Sequence, residues 1–263
     1  MKKSTILFTL LVVFISCNTE EPEVLPACQA TQVSFFEGGA FTNYIFESDG
    51  NDGYRLKTIN VYEGTDSAEV YTYSYGTQLE SITHTDADGT ITFNTVYEND
   101  KLSKVTEANG SSEMVMEYNG SNITVMNMWV MAPDANLYQI AEMKMTYSAS
   151  GNLTKTEQLM DIVALIEIGF GGVPPTNPYT PALVGSMEYE YGTDNAPNPL
   201  YGIYNMDNPD MSFMKNLPIS YVYKDETGTA VDSESITLTF NDKGFPTKGT
   251  FGSDYVEITY VCD

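Results

Sequence analysis

Only a few side chains in this sequence offer covalent or metal chemistry. The 263 residues include one histidine and three cysteines. No Ser or Cys nucleophile motif of a known type accompanies His84, so Ser–His or Cys–His catalysis has no support. Glycine-rich phosphate-binding motifs are missing from the sequence as well. His84 is therefore better interpreted as a residue of a β-hairpin.

Carboxylates are the most abundant reactive groups. The 36 Asp and Glu outnumber the 12 Lys and Arg, which gives a formal charge of −24. Two carboxylates about 5 or 9 Å apart can cleave a glycoside, but so many acids give no means of choosing a pair. We therefore expect a protein that is not an enzyme, with a carboxylate-based glycan-cleaving enzyme as an alternative.

The negative charge limits the partners that the protein can have. An acidic surface repels phosphate backbones, so nucleic-acid binding is not expected. Such a surface also disfavours anionic lipid head groups. Two interpretations of the charge stay open, because it could serve solubility alone or attract cations diffusely.

Two acidic stretches resemble calcium loops at first sight. In HTDADGTI (residues 84–91), Gly89 takes the sixth place of an EF-hand loop, so His84 and Thr95 stand at places one and twelve, where acids are needed. The stretch DGNDG (residues 49–53) fails in the same way. Both are better interpreted as hairpin turns. No metal site and no cofactor are predicted, although weak calcium binding by clustered carboxylates stays open.

The N-terminus has the pattern of a secretory signal peptide. A basic start, MKK, precedes an uncharged apolar run over residues 4–16. This run is shorter than the about 20 residues that a membrane-spanning helix needs. The segment FISC (residues 14–17) resembles the lipobox of bacterial lipoproteins, and NTEEPE (residues 18–23) resembles the acidic tether of Bacteroidetes-type lipoproteins.

These resemblances imply a lipid anchor and a location. The signal peptide, residues 1–16, would be removed and Cys17 acylated, so that covalent lipid chains hold the protein without a spanning helix. Acidic residues after that cysteine imply display on the outer face of the outer membrane. Residues 17–27 are then a flexible acidic tether, and residues 28–263 are a single all-β domain.

The two remaining cysteines, Cys28 and Cys262, lie near the two ends of this domain. Exported proteins meet oxidising conditions, in which a disulfide is stable. A Cys28–Cys262 bridge would fasten the first strand to the last. The alternative is two separate buried thiols that behave as small hydrophobic residues. Metal binding has little support, since CxxC spacing is missing.

Most of the domain alternates between apolar and polar side chains, as is typical of half-buried β-strands. Residues 90–97 place Ile91, Phe93 and Tyr97 on one side, and residues 235–240 follow the same pattern. Short turns that end in Gly separate such runs, at 86–89, 109–110, 119–120, 148–151, 225–228 and 241–244.

A degenerate repeat also runs through the chain, with an aromatic residue, a short polar turn and then an aliphatic residue. Its copies begin at Tyr75, Tyr97, Tyr118, Tyr147 and Phe240. The first three are 22 and 21 residues apart, which fits one hairpin per copy. The copies resemble the YD-type repeats of RHS-like proteins and, more closely, domains of uncharacterised Bacteroidetes surface lipoproteins. This resemblance covers roughly residues 70–155 and 185–250, and it implies an architecture without an activity.

Two spans do not follow the repeat. Residues 156–184 contain LMDIVALIEI, which could form a short helix or one more strand, and then a loop rich in Gly and Pro. Residues 195–217 are a second irregular span, and each span is either a functional loop or a cover for an open sheet edge. We predict an all-β fold, a large curved antiparallel meander of hairpins that forms a half-barrel or β-roll with short irregular or helical insertions.

The candidate ligand contacts are aromatic. Trp129, Tyr138, Phe170, Tyr179 and Tyr201 could form a platform for a sugar or an apolar groove, and core packing is the other interpretation. We expect an outer-membrane lipoprotein, attached through its lipid anchor only, that binds or scaffolds a glycan or a protein partner. The alternatives are a half-barrel carrier of a lipid or other apolar ligand, and the glycan-cleaving enzyme.

Overall fold

The structure is a computed structural model that describes residues 28–50, 54–63, 66–174, 179–193, 196–201 and 212–262. The predicted signal peptide (residues 1–16) and tether (residues 17–27, with Cys17) lie outside these residues. In the described part of the chain no helix has the length and apolar character to cross a membrane.

The described residues form seventeen strands and one helix, α1 (Ile162–Gly169). In chain order the strands are β1 (Cys28–Glu37), β2 (Ala40–Ser48), β3 (Tyr54–Glu63), β4 (Asp66–Tyr75), β5 (Leu79–Thr85), β6 (Thr90–Glu98), β7 (Lys101–Glu107), β8 (Ser112–Asn119), β9 (Asn122–Met131), β10 (Leu137–Tyr147), β11 (Leu153–Met160), β12 (Ala182–Glu190), β13 (Ser220–Asp225), β14 (Ala230–Ser235), β15 (Thr237–Phe240), β16 (Pro246–Phe251) and β17 (Asp254–Cys262).

The predicted antiparallel meander is confirmed, and it closes further than a half-barrel. Each strand from β1 to β14 pairs antiparallel with its sequence neighbour, and β17 returns to pair with β1. β14 and β15 are two parts of one run: the first pairs with β13, and the second pairs with β16. The sheet is thus a nearly closed barrel, which leaves few strand edges open to other chains.

A disulfide lies at the seam where the first strand meets the last. Cys28 stands directly opposite Cys262 in the β1–β17 ladder. Their sulfur atoms are bonded across a sequence separation of 234 residues. The described structure therefore contains the bridge that the sequence left open against two separate thiols.

The interior of the barrel holds one cluster of buried side chains. Alternate strand residues point inward, and Val33, Leu56 and Ile82 among them are completely buried. Leu200 and Phe213, from the irregular span between β12 and β13, belong to the same buried cluster. We call residues 196–201 and 212–219 the plug segment. It packs into the barrel, so in its described part this span is neither a free loop nor a cover for a sheet edge.

Asn198 holds the plug segment together. Its side-chain amide donates to the Met214 carbonyl at 2.8 Å, and its side-chain oxygen accepts from the Leu200 N–H at 3.0 Å. Its own N–H donates to the Lys215 carbonyl at 3.1 Å. These bonds satisfy polar groups that would otherwise be buried without partners.

Antiparallel order places alternate turns at opposite ends of the barrel. We call the end that contains the start of β1 and the β4–β5, β6–β7, β8–β9 and β10–β11 turns the proximal rim. The other end, with the β5–β6 and β9–β10 turns and α1, is the distal rim. The helix settles the choice left open for LMDIVALIEI: β11 ends at Met160, Asp161 caps α1, and the helix follows.

Candidate ligand-binding site

The repeat aromatics come together at the proximal rim. Tyr75, Tyr97, Tyr118 and Tyr147 lie at or near the ends of β4, β6, β8 and β10, and all four pack against the buried core. One copy of the repeat is one hairpin, so equivalent residues fall on every second strand and reach the same rim. The fifth copy differs, since Phe240 is exposed at the end of β15.

Several tyrosines near this rim bond through their hydroxyl to the backbone of an earlier hairpin. The Tyr118 hydroxyl donates to the Leu102 carbonyl at 2.8 Å, and the Tyr191 hydroxyl donates to the Leu153 carbonyl at 2.6 Å. The Tyr97 hydroxyl bonds in the other direction and accepts from the Leu79 N–H, a bond that opposes the rise in its pKa caused by burial. Each ring therefore reaches over the aliphatic residue of an earlier turn. This contact explains why the repeat joins an aromatic position to an aliphatic one.

A cavity of about 780 Å³ lies between the proximal turns and the plug segment. On the barrel side it is bounded by the β2–β3, β4–β5, β6–β7 and β8–β9 turn regions, and on the other side by Ser212 and Phe213. Its volume lies in the range of small-molecule sites. Six tyrosines line it: Tyr54, Tyr75, Tyr97, Tyr118, Tyr147 and Tyr201.

The two cations of this cavity are already engaged. The Arg55 guanidinium is 3.2 Å from a Glu47 carboxylate oxygen, and its centre is 4.7 Å from the Tyr75 ring centroid. The Lys101 ammonium donates to the Gly120 carbonyl and lies 5.0 Å from the Tyr118 ring centroid. An anionic ligand would have to compete with these contacts.

Three of the cavity tyrosines keep their hydroxyls protonated near neutral pH. Burial raises the pKa of Tyr75, Tyr97 and Tyr118 above the usual value, and the proximity of Tyr97 raises the pKa of the other two further. A neutral phenol both donates and accepts a hydrogen bond. The cavity therefore offers aromatic surface together with uncharged polar groups.

A second cavity of about 420 Å³ shares Tyr54 and Tyr201 with the first. Cys28 of the seam also lines it, as do Phe245 and Tyr260, whose ring centroids are 5.4 Å apart. Tyr201 is therefore the plug residue that faces both cavities. The proximal rim carries one divided depression on the two sides of this side chain.

Another aromatic set lies on the outer face near the distal rim. Tyr255, Phe36, Phe41 and Tyr62 stack across β17, β1, β2 and β3 with centroid separations of 4.3, 4.9 and 5.0 Å. The planes of neighbouring rings are 19–24° apart. Ring faces inside this column are covered by the neighbouring rings, so they offer no platform for a sugar.

The structure separates the five aromatic residues that the sequence suggested. Tyr201 lines both cavities, but the other four lie towards the distal rim, so no common platform forms. The Tyr138 hydroxyl donates to Asp134 at 2.9 Å, and Phe170 follows α1 with its side chain 90% exposed. Trp129 stands opposite Gln139 on β10, and Tyr179 precedes β12. The reason is the strand order: these four residues lie near the end of β9, the start of β10, the end of α1 and the start of β12, which are all at the distal rim, whereas Tyr201 follows β12 at the proximal rim.

The tyrosine set of the cavity was therefore missed. Its signal in the sequence is the nearly equal spacing of Tyr75, Tyr97 and Tyr118, which by itself indicates only an architecture. In a closed meander, equal spacing also places the repeated side chains around one rim.

His84 belongs to a hydrogen-bonded pair with a carboxylate. Its Nε2 is 3.1 Å from a Glu69 oxygen, and the same oxygen accepts from the Tyr71 hydroxyl at 3.0 Å. The Tyr71 and His84 rings are stacked with their centroids 4.5 Å apart. Among the described residues, no group of three or more His, Cys, Asp or Glu side chains is placed to hold a metal ion.

The stretch that resembles a calcium loop is a hairpin turn. An Asp86 oxygen accepts from the N–H groups of Asp88 at 2.8 Å and Gly89 at 3.0 Å. This carboxylate oxygen is thus used by the turn itself. In the DGNDG stretch, residues 51–53 lie outside the described residues.

Two solved structures resemble this barrel. A porin-like protein from Bacteroides uniformis has a TM-score of 0.52 and 12% identity, and the match covers 88% of this chain and 98% of that one. A porin-like protein from Bacteroides vulgatus has a TM-score of 0.54 and 12% identity, with coverage of 89% and 99%. At this identity the likeness shows a shared fold. No family model and no curated protein matches the sequence.

The RHS-like resemblance of the repeats gains little from structure. A TcdB2-TccC3-TEV crystal structure matches 80% of this chain and 14% of that one at 10% identity. Its TM-score of 0.24 is too low to indicate a shared fold. The fold is shared with the porin-like proteins from Bacteroides.

Proposed function

We propose that this protein is a non-catalytic lipoprotein on the outer face of the outer membrane, and that it binds an uncharged oligosaccharide in the tyrosine-lined cavity. The observation that carries this proposal is the convergence of six tyrosines on one cavity of about 780 Å³. A tyrosine ring combines an apolar face with a polar tip. Sugars have the matching surface, with apolar C–H faces and a rim of hydroxyl groups.

The spacing of the tyrosines suits an extended chain of sugars. Tyr75, Tyr97 and Tyr118 lie on alternate strands. Neighbouring strands are about 4.8 Å apart, so equivalent side chains are separated by roughly 10 Å. This is close to the length of one disaccharide unit in an extended oligosaccharide. One tyrosine per two sugars would give a repeated contact along the ligand.

The charges favour an uncharged glycan over an acidic one. The whole chain has a formal charge of −24, and Asp49 and Asp100 line the cavity. Arg55 and Lys101 are held by their own partners. A uronate- or sulfate-bearing glycan would therefore meet repulsion with little compensation.

The proposed anchor leaves the cavity accessible. β1 begins at Cys28 on the proximal rim, so the tether would leave the barrel beside the cavity. From Cys17 to Cys28 there are eleven residue steps, which reach at most about 40 Å when extended. That distance would let an oligosaccharide enter between the membrane and the proximal rim.

Two alternatives have less support from this geometry. An acyl carrier needs an apolar interior with free space, but Leu200 and Phe213 of the plug segment are buried in the barrel. A glycan-cleaving enzyme would have to use acids of the cavity such as Asp49 and Asp100. Shortened oligosaccharides in the binding assay would replace the proposal with that reaction.

The test is calorimetric titration of protein that begins at Glu20. The panel contains neutral β-linked glucan, xylan and mannan oligosaccharides, a polyuronate, calcium and a fatty acid. We expect saturable binding of one neutral class, a loss of at least tenfold in Tyr97→Ala, and no change in Tyr62→Ala, which alters a tyrosine of the outer column. Binding of the polyuronate alone, or equal loss in both variants, would contradict the proposal.

A further inference from the structure

A compact apolar patch lies on the distal rim, far from the tyrosine-lined cavity. Within α1 only Ala164 is buried. Six large apolar side chains in and just after the helix remain in solvent, and we call them the helix patch: Ile162 (48% exposed), Val163 (58%), Leu165 (40%), Ile166 (51%), Phe170 (90%) and Val173 (43%). Clustering of this kind marks an interaction site more often than scattered exposure does.

The helix is held in place despite its poor burial. An Asp161 oxygen accepts from the Ala164 N–H at 3.0 Å, and the other oxygen accepts from the Thr180 N–H at 3.3 Å. At the other end, the Phe170 N–H donates to the Ile166 carbonyl at 3.0 Å. An isolated helix of eight residues is too short to be stable in water. The caps therefore fix a helix whose large apolar side chains remain exposed in the described part of the chain.

We propose that the helix patch of a second copy of this chain covers this patch, so that the protein forms a two-fold dimer at the distal rim. The six side chains present roughly 600 Å² of largely apolar surface, at the upper end for a patch on a monomer. A standard interface buries about 800 Å² per partner. The patch with a narrow polar border therefore has the size that a dimer needs, and a two-fold axis presents it with a surface of identical character.

The charges favour an apolar contact between copies over a membrane. Residues 161–174 contain no Lys or Arg, and their two acidic residues are Asp161 and Glu167. Nothing in this segment attracts anionic head groups. The patch also lies at the rim opposite Cys28, from which a lipid anchor would extend. The proposed anchor would therefore hold the membrane at the other rim, away from the patch.

The net charge gives this dimer a distinctive salt response. Two chains of formal charge −24 repel each other, and added salt screens that repulsion. Association through an apolar patch should therefore strengthen several-fold between about 50 and 500 mM salt. A contact built on ion pairs would weaken over the same range.

In-cell crosslinking on the full chain tests the contact directly. In the native protein Cys28 and Cys262 are bridged, so Val163→Cys adds a thiol at the centre of the patch. We expect oxidation to give a disulfide-linked dimer, and we expect Ser121→Cys, in an exposed turn of the proximal rim, to give none. Adding Ile166→Asp to Val163→Cys should abolish the crosslink. Equal crosslinking at both positions would overturn the proposal.

Sedimentation velocity of the Cys17→Ser chain gives the second readout. A dimer that strengthens with salt and is lost in Ile166→Asp supports the proposal, provided that far-UV circular dichroism of the variant is unchanged. A monomer at every protein and salt concentration overturns it. So does a monomer that binds phosphatidylcholine vesicles through the patch, since the occupant would then be a bilayer.

Discussion

Removal of the Cys28–Cys262 bridge should destabilise the barrel through the unfolded state. The two residues already face each other in the β1–β17 ladder, and the ladder continues to Phe36 and Tyr255. The native strands can therefore keep their pairing when both cysteines are replaced by serine. What changes is the unfolded chain, which loses a crosslink over 234 residues. On the chain-entropy account, closing a loop of this length stabilises by about 5.5 kcal/mol at 25 °C.

Urea unfolding of oxidised wild type and of Cys28→Ser/Cys262→Ser measures this difference. We expect a loss in the free energy of unfolding of about 4–6 kcal/mol, and reduced wild-type protein should behave like the double variant. The single tryptophan, Trp129 on β9, lies far around the barrel from the seam, so its fluorescence should follow far-UV circular dichroism. A loss below 1 kcal/mol, or a tryptophan signal that does not move with the other probe, would refute the entropic argument.

The other predictions concern single contacts and alkaline pH. Tyr118→Phe and Tyr191→Phe should each lower the free energy of unfolding by about 1 kcal/mol, because each removes a hydroxyl that donates to a backbone carbonyl. Tyr201→Phe changes an exposed residue and is the control in the same urea assay. Gly185→Ala should lower the free energy of unfolding by about 1–3 kcal/mol, since a Cβ there would lie 2.5 Å from the Tyr223 hydroxyl oxygen and 2.9 Å from a carbon of its ring. Gly169→Ala is the control and should be nearly neutral, because a Cβ there would meet nothing within 4 Å. Burial raises the pKa of Tyr179 and Tyr221 to about 12, whereas an unfolded tyrosine has a pKa of about 10, so the folded state keeps these protons to higher pH. Their contribution to stability is complete below pH 10 and is lost as pH rises towards 12. Absorbance at 295 nm and circular dichroism should report this loss as cooperative alkaline unfolding.

Strand alternation in the sequence predicted the face of the side chains in β6 but not their depth in the barrel. Phe93 and Tyr97 pack against the core, as their side of β6 required. Ile91 lies on the same side, yet it is 40% exposed because it stands near the distal end of the strand. A period of two carries no information about distance from a rim. Fold class was therefore predictable, while the extent of burial was not.

The local sequence pattern also does not predict that the sheet closes. Turn signals and the 21–22-residue spacing specify pairing between neighbouring hairpins. The pairing of β1 with β17 joins residues at opposite ends of the domain, and only the cysteines at its two ends hinted at it. The plug segment was hidden for a similar reason, since Leu200 and Phe213 stand in a span rich in Asn and Pro that has no strand or helix period.

A structural role and ligand binding do not exclude each other as explanations for the repeat tyrosines. The hydroxyl of Tyr118 caps a turn carbonyl, and that contact alone accounts for a tyrosine at this position. It does not account for the space beside the ring. Leu200 is completely buried, and among the described residues a cavity of about 780 Å³ lies between the plug segment and the same tyrosines. The described part of the plug segment leaves this aromatic surface open, although burying aromatic surface stabilises a fold. In the proposed function a bound sugar would cover that surface, so that a repeat tyrosine would serve the turn contact with its hydroxyl and the ligand with its ring.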